Sequence, residues 1–352
     1  MSEQKNVPDN VKQTPPLVSV VVVTLNRFDL LKSCLRSLCQ QDYASMEILV
    51  VDNGSDRDAR EVLAAEFPHI RVIRLDRNYG FAGGSNRGIE MSRGKYVALI
   101  NNDALADPKW ISSMVKTAEA DSTIAAVASI IIDGNRPEVL DSCGVGIGLD
   151  GMSRQAMRGM PVLWLTKPKD ILLFSGCACL LRMRALKDVG LFDEDFFAYC
   201  EDTDLGLRIR RAGWKIVVAP GAYVKHLYSL TGGKFSRQKV YWVERNHLWV
   251  AIKNFPCPLL AALPAVTLQR YLVQAYSVLR GGGELNEFTK QSTLPKIAAT
   301  YARAYIDMFR KLPAMMKKRR EFRKMHRLGD TDMLRLIWKY HLSVREIIGM
   351  PR

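Results

Sequence analysis

The chain has 352 residues, 48% of them hydrophobic and 25% charged, which is the make-up of an ordinary globular protein and excludes a fibrous or low-complexity chain. The net charge of +15 is unusual and unevenly placed: between Arg310 and Arg327 nine Lys or Arg stand against the single acid Glu321, a local +8. A run of this kind favours a polyanion, either acidic lipid headgroups or nucleic acid.

Residues 1–16 are polar and lack the apolar core of a signal peptide or anchor, so they read as a flexible head on a cytoplasmic protein. Val18-Ser-Val-Val-Val-Val23 is a β-branched run suited to a strand buried on both faces of a parallel sheet. The helical spacing of Leu30, Leu31, Cys34, Leu35 and Leu38 predicts a helix over 28–40, and strand Met46–Val51 runs into Asp52-Asn53-Gly54-Ser55. Helix 58–66, strand 70–75, helix 83–92, strand 95–100 and helix 108–120 continue the alternation. Such alternation predicts an α/β fold with a mostly parallel sheet and right-handed crossovers. Ligands of such sheets bind at the carboxyl ends of the strands. The polar clusters Thr24–Arg27, Asp52–Ser55 and Asn101–Asp103 lie at those ends.

From about 125 to 230 the pattern loosens into strands and loops, and from about 239 it becomes helical and apolar. Phe255–Leu279 is rich in Leu, Ala and Val, but Pro256, Pro258, Pro264, Gln269 and Arg270 interrupt it too often for a bilayer span. It reads as an interfacial or core helical pair with the basic 310–327 helix behind it as an electrostatic anchor. The seven scattered cysteines show no zinc-knuckle spacing and read as buried thiols in a reducing compartment.

The segment Phe196–Trp214 follows Asp195 with Glu201, Asp202 and Asp204, then turns basic and helical. Carboxylates at the mouth of a helix are stabilised as anions by its dipole, and an ionised carboxylate there can act as a general base. Asn101-Asn102-Asp103 ends a strand, where a carboxylate can hold a divalent cation against a diphosphate; an Asx-turn leaving the strand is an equal reading. Asn78-Tyr-Gly-Phe-Ala-Gly-Gly-Ser-Asn86 is a glycine-rich loop entering a helix and resembles a phosphate cradle, though it lacks the P-loop lysine. His226 follows strand 214–219 and joins a site only if its loop folds back towards Asp103.

In order, VSVVVVTLNR, ILVVDNGSDR, NYGFAGGSNRG, YVALINND, SGCACLLRMRALKDVGLFDEDFFAYCEDTDLGLRIRRAGW and His226 resemble a family 2 glycosyltransferase over residues 17–250. The combination is most similar to bacterial rhamnosyltransferases of surface-polysaccharide assembly. The resemblance implies a glycosyltransferase-A fold in a catalytic part over 17–238, with a basic helical extension over 239–352. It implies a nucleotide-sugar donor, a divalent cation (Mg2+ or Mn2+), inversion at the anomeric carbon and a saccharide or lipid-linked acceptor. Carried onto this chain, Thr24, Asn26, Arg27, Asp52 and Asn53 would line the base and ribose pocket. Asn78, Gly80, Phe81 and Asn86 would shape the nucleotide and sugar region, with Asn102 beside the donor. Asp103 takes the last position of the family's D-x-D, His226 the distal metal position, and Asp202 that of the base, with Glu201 beside it. Asn101 and Asn102 replace the other D-x-D positions and leave one carboxylate, which predicts weaker cation affinity. The implied location is the inner face of the cell membrane, held by an anionic surface. Nucleic acid is disfavoured because no nucleic-acid recognition motif appears in the chain. A catalytically dead scaffold of the same fold is the competing reading.

Overall fold

The computed structural model describes residues 14–162, 165–227, 236–280 and 293–350. Most of the flexible head expected over 1–16, namely residues 1–13, lies outside the described residues, as do 228–235 after His226. The first half alternates strand and helix: β1 (Val18–Thr24), α1 (Phe28–Cys39), β2 (Met46–Asp52), α2 (Ala59–Leu63), β3 (Arg71–Arg74), α3 (Gly80–Glu90), β4 (Tyr96–Asn101), β5 (Ala104–Ala106) and α4 (Trp110–Ala120). Then follow β6 (Ile124–Asp133), β7 (Leu140–Cys143), β8 (Val145–Ile147), β9 (Ser153–Gln155), β10 (Lys169–Asp170), β11 (Ala178–Arg182), α5 (Met183–Val189), α6 (Glu201–Arg211) and β12 (Lys215–His226). The extension is helical: α7 (Arg237–Asn254), α8 (Cys257–Leu279), α9 (Leu294–Arg310), α10 (Leu312–Arg323), α11 (Asp330–Tyr340) and α12 (Val344–Ile347).

The main sheet runs β10-β12-β6-β11-β4-β1-β2-β3, with β5 on β12 and β7 on β6. β4, β1, β2 and β3 are parallel, as are β6 and β12, while β11 enters antiparallel between β4 and β6. The β-branched β1 sits at the centre because both of its faces are covered: Val20 and Val22 pack with α1, and Val21 with Ile89 of α3.

Three expectations shift. The glycine-rich loop is not a loop: Gly83, Gly84 and Gly88 lie inside α3. A Cβ on Gly84 would stand 2.8 Å from Cγ1 of Val23, and one on Gly88 would collide with Val21. Gly84 and Gly88 let the helix press onto the sheet. The strand expected over 214–219 continues to His226, because a register shift at Pro220-Gly221 lets it resume pairing with β6. And Cys39 and Cys257 are exposed, although all seven thiols are free.

Candidate active site

His226 pairs in register with Ala104, so the end of β12 lies directly beside Asp103 at the carboxyl end of β4. The Nε2 of His226 is 3.3 Å from Oδ1 of Asp103. Its Nδ1 is 2.8 Å from Oδ2 of Asp141, on β7, and Arg158 holds the other oxygen of Asp141 at 3.3 Å. Burial disfavours charge on the imidazole, yet Cys177, Asp103 and Asp141 hold it well above its ordinary value. Asp141 and Arg158 carry no sequence signal, because neither stands in a motif and both reach the site through tertiary packing.

The second carboxylate cluster opens α6. Asp202 is half-buried, while Glu201 is buried and its Oε2 has no hydrogen-bond partner among the described residues. Asp202 accepts from the amides of Gly176 (2.9 Å) and Thr203 (2.7 Å) and from the Thr203 hydroxyl (3.3 Å). Burial pushes the Asp202 carboxyl up from the ordinary range against those hydrogen bonds. Glu201 is pushed well above its ordinary value by burial and then by Asp202. Gly176 and Cys177 tie the two corners together. The Gly176 amide donates to Asp202, and the next residue's thiol lies against His226.

The other acids that share the sequence cluster do different work. Asp204 is salt-bridged to Arg208 (3.0 Å) and Lys253 (2.8 Å), and Asp195 to Lys311 (2.5 Å) and Lys318 (2.8 Å). Lys253 and Lys318 also meet Asp193, at 2.6 and 2.5 Å. Part of the basic run is therefore spent inside the molecule, docking the extension onto the acidic segment that leads into α6.

Most residues expected to line the donor pocket hold the strand-end loops in place. Asp52 accepts from the amides of Ser55 (2.9 Å) and Ala59 (3.1 Å) and meets Arg74 at 3.3 Å. Asn53 donates to Asn78 (3.1 Å) and to the carbonyl of Gly80 (2.9 Å) and accepts from the Tyr79 amide. Asn86 clasps the backbone of Phe192 in both directions, at 2.9 and 3.0 Å. Asn102 donates to Thr24 at 3.0 Å, bridging the ends of β4 and β1. Asn26, at φ 57°, locks its turn to Asp56 and Ser55, and Arg27 pairs with Asp29 at 3.6 Å. Phe81 stands edge-on to Phe192 at 5.8 Å and covers Gly176 beside Asp202. Gly80 has φ +71°, and a Cβ there would strike the carbonyl of Phe197, so this position admits only glycine.

That carbonyl belongs to a strained approach to α6: Phe197, Tyr199 and Cys200 all have φ between 65° and 68°. Asn246 of α7, fully buried, donates to the carbonyls of Phe196 (3.0 Å), Ala198 (2.9 Å) and Tyr199 (2.7 Å) and fixes it. Arg245 adds a contact to Phe196 O at 3.1 Å.

Residues 19–190 match the model of glycosyl transferase family 2. The chain carries a family 2 glycosyltransferase domain. It is 27% identical over 247 residues to the N-acetylglucosaminyl-diphospho-decaprenol L-rhamnosyltransferase of Mycobacterium tuberculosis, covering 60% of this chain and 76% of that one. It is 26% identical over 214 residues to the O-antigen biosynthesis protein RfbC of Myxococcus xanthus, covering 57% of this chain and 16% of that far longer relative. Among solved structures it resembles GalNAc-T7 with UDP, GalNAc and Mn2+, at 17% identity and TM-score 0.59 over 79% of this chain and 55% of that one. This likeness shows the glycosyltransferase-A fold. The match to the family model ends before α6, so Glu201, Asp202 and the α7 residue Asn246 lie outside it.

Among the described residues no group of three or more His, Cys, Asp or Glu is arranged as a metal cluster. The pair Asp103 and His226 fits a divalent cation in part: it offers one hard oxygen and one imidazole nitrogen, with Asp141 positioned to orient the ring. Two protein ligands leave the rest of the shell to a diphosphate and water. No helix among the described residues is long and apolar enough to cross a membrane.

Proposed function

We propose that this family 2 glycosyltransferase moves a sugar, with inversion, from a nucleoside-diphosphate donor to a hydroxyl of a saccharide or lipid-linked acceptor in surface-polysaccharide synthesis. The observation that carries the reading is the pairing of the two corners through Gly176-Cys177. Through these adjacent residues Asp202 and the Asp103–His226 pair share one neighbourhood, which supports reading Asp202 as the base beside a cation site. Asp202 takes the proton of the acceptor hydroxyl as that oxygen bonds to the anomeric carbon. The bond from that carbon to the diphosphate oxygen breaks on the opposite face, and the nucleoside diphosphate leaves with the electron pair. Asp103 and His226 would hold the divalent cation (Mg2+ or Mn2+), which supplies positive charge to the departing diphosphate when bound. Glu201, buried beside Asp202, has its ionisation disfavoured by burial and by the Asp202 charge, which leaves Asp202 as the more accessible of the two carboxyls.

The donor best supported is dTDP-rhamnose, with UDP-linked hexoses or N-acetylhexosamines next; the support is the likeness to a relative named as a rhamnosyltransferase. We assign 17–238 as the catalytic part and 239–352 as a helical extension that completes the base corner through Asn246. The basic extension favours an anionic membrane surface at the inner face of the cell membrane, where a lipid-linked acceptor would be presented. Calorimetry and thermal shift against dTDP-, UDP- and GDP-sugars with Mn2+ or Mg2+ test the reading. Cation-dependent stabilisation by one donor is expected. Absence of binding by every donor, together with no turnover on a lipid-linked acceptor, would overturn it.

A further inference from the structure

The outer face of α8 is left unexplained by sugar transfer. Between Phe255 and Leu279 the chain carries a single charged residue, Arg270, and that residue faces inward. It is 1% exposed and held by Asp150 at 2.6 Å and Glu244 at 3.1 Å. Thr267 and Ser277 are buried on the same side. Leu268, Leu272, Tyr276 and Leu279 are instead 59%, 63%, 51% and 86% exposed. Their spacing of four, four and three residues makes one stripe along the helix, which the exposed Ala261, Pro264 and Ala265 extend. Leu259, Leu260 and Leu263 pack against the core, but from Thr267 onward the helix is inverted: Thr267, Arg270 and Ser277 are buried while Leu268, Leu272 and Leu279 face outward. A continuous apolar surface of this kind marks an interaction face.

Charge names the occupant. Residues 239–352 hold 21 Lys or Arg against 8 Asp or Glu, a net +13 out of the whole chain's +15. Lys253, Lys311 and Lys318 are spent on internal acids, but Arg280, Lys296, Lys317, Arg320 and Lys324 are exposed. Arg280 closes α8 with its guanidinium over the Tyr276 ring at 4.9 Å, an apolar body with a cationic tip as suits the headgroup level. A second copy of this chain would bring the same positive extension against itself. An anionic bilayer accepts both the leucine stripe and the cations around it.

We infer that α8 is an interfacial helix that lies in the plane of an anionic phospholipid bilayer, with Leu268, Leu272, Tyr276 and Leu279 among the acyl chains. It does not span the bilayer, because it is not apolar enough along its length to do so and Arg270 pins its inner side to Asp150 of the catalytic part. The anchor is thus α8 itself, and the basic 310–327 run supplies only attraction. The inference rests on the membrane-surface part of the proposed function and is independent of which sugar is moved.

Flotation of the full chain with phosphatidylcholine–phosphatidylglycerol vesicles, at low salt and at about 1 M salt where exposed charges are screened, tests it. Wild type should keep a salt-resistant bound fraction. The double variant L268E/L272E should lose that fraction at least tenfold with an unchanged melting temperature, whereas K317E/R320E/K324E should lose only the salt-sensitive part. Equal flotation of L268E/L272E and wild type would overturn the inference, as would failure of wild type to float. So would a stable dimer in sedimentation velocity that L268E/L272E splits, since the face would then belong to a second copy. Donor-induced thermal shift, read on the same samples without vesicles, reports the transferase reading separately.

Discussion

At Asp103 the negative charge is met at 3.3 Å by His226, which is backed at 2.8 Å by Asp141 and, through it, by Arg158. At Asp202 no ion pair forms among the described residues; backbone amides and a threonine hydroxyl are the partners, and a second carboxyl, Glu201, lies buried alongside. One corner is a chain of alternating charge, into which a cation can enter by replacing a proton. The other is an uncompensated carboxylate whose affinity for a proton is raised. The same residue type is thereby suited to a ligand's role in the first setting and to the proposed base's role in the second, through its surroundings alone.

Breaking the base corner gives the largest expected effect. Asp202→Asn should lower kcat by about 10²–10⁴-fold while calorimetric donor affinity is retained. Donor affinity that fell in step with kcat would put Asp202 in the binding pocket instead. On the cation side, Asp141→Asn should weaken cation affinity by about 10–100-fold, read as the Mn2+ concentration for half-maximal donor binding, because the His226 ring loses its orienting partner. Asp103→Ala should remove the cation dependence of donor binding altogether. Asn246→Ala removes three hydrogen bonds from the strained approach to α6. It should reduce kcat by about tenfold at unchanged donor affinity, since the loss of buried hydrogen bonds of about 1–3 kcal/mol falls on the loop that aims Asp202. A matching loss of donor affinity would make Asn246 a general stabiliser of the fold.

The pH profile sharpens the same contrast. The base acts when deprotonated, so the rate rises with pH through the Asp202 pKa. Because burial raises that pKa, the acid limb of kcat should stand above the ordinary aspartate value of 3.8. An acid limb at or below that value would contradict the desolvated setting. The smallest effect is expected for Glu201→Gln, which puts an amide of similar shape in place of a carboxyl whose ionisation burial disfavours. Steady-state kcat within about threefold of wild type is the expected outcome.

Much of this was legible along the chain. The strand and helix alternation up to α4 followed from hydrophobic periodicity, and the placement of Thr24, Asp52 and Asp103 at strand ends followed from where those runs stop. Short elements drifted at their ends: the helix read over 58–66 is α2 at Ala59–Leu63. The glycine-rich stretch misled because glycine serves a loop and a tight helix–sheet contact equally well, and only the valines of β1 and β2 decide between them. The acidic cluster looked uniform, yet besides the Arg208 partner of Asp204 one turn on, both Asp195 and Asp204 are paired with lysines more than 40 residues later in the chain. Such partners leave no local pattern.

The sequence by itself determined the α/β class, the order of its elements, and the opening of the α6 helix on Glu201-Asp202, since these depend on neighbours a few residues apart. Only the tertiary structure decided that His226 meets Asp103, that Asp141 stands behind it, that Asn246 clamps the approach to α6, and that α8 turns Leu268, Leu272 and Leu279 outward. Each of these is set by contacts between distant segments. Hydrophobic pattern reports which face of a helix is apolar, but which face is buried depends on what the rest of the chain offers it: the apolar face of α1 met the sheet, whereas on α8 the carboxylates of Asp150 and Glu244 claimed the polar side.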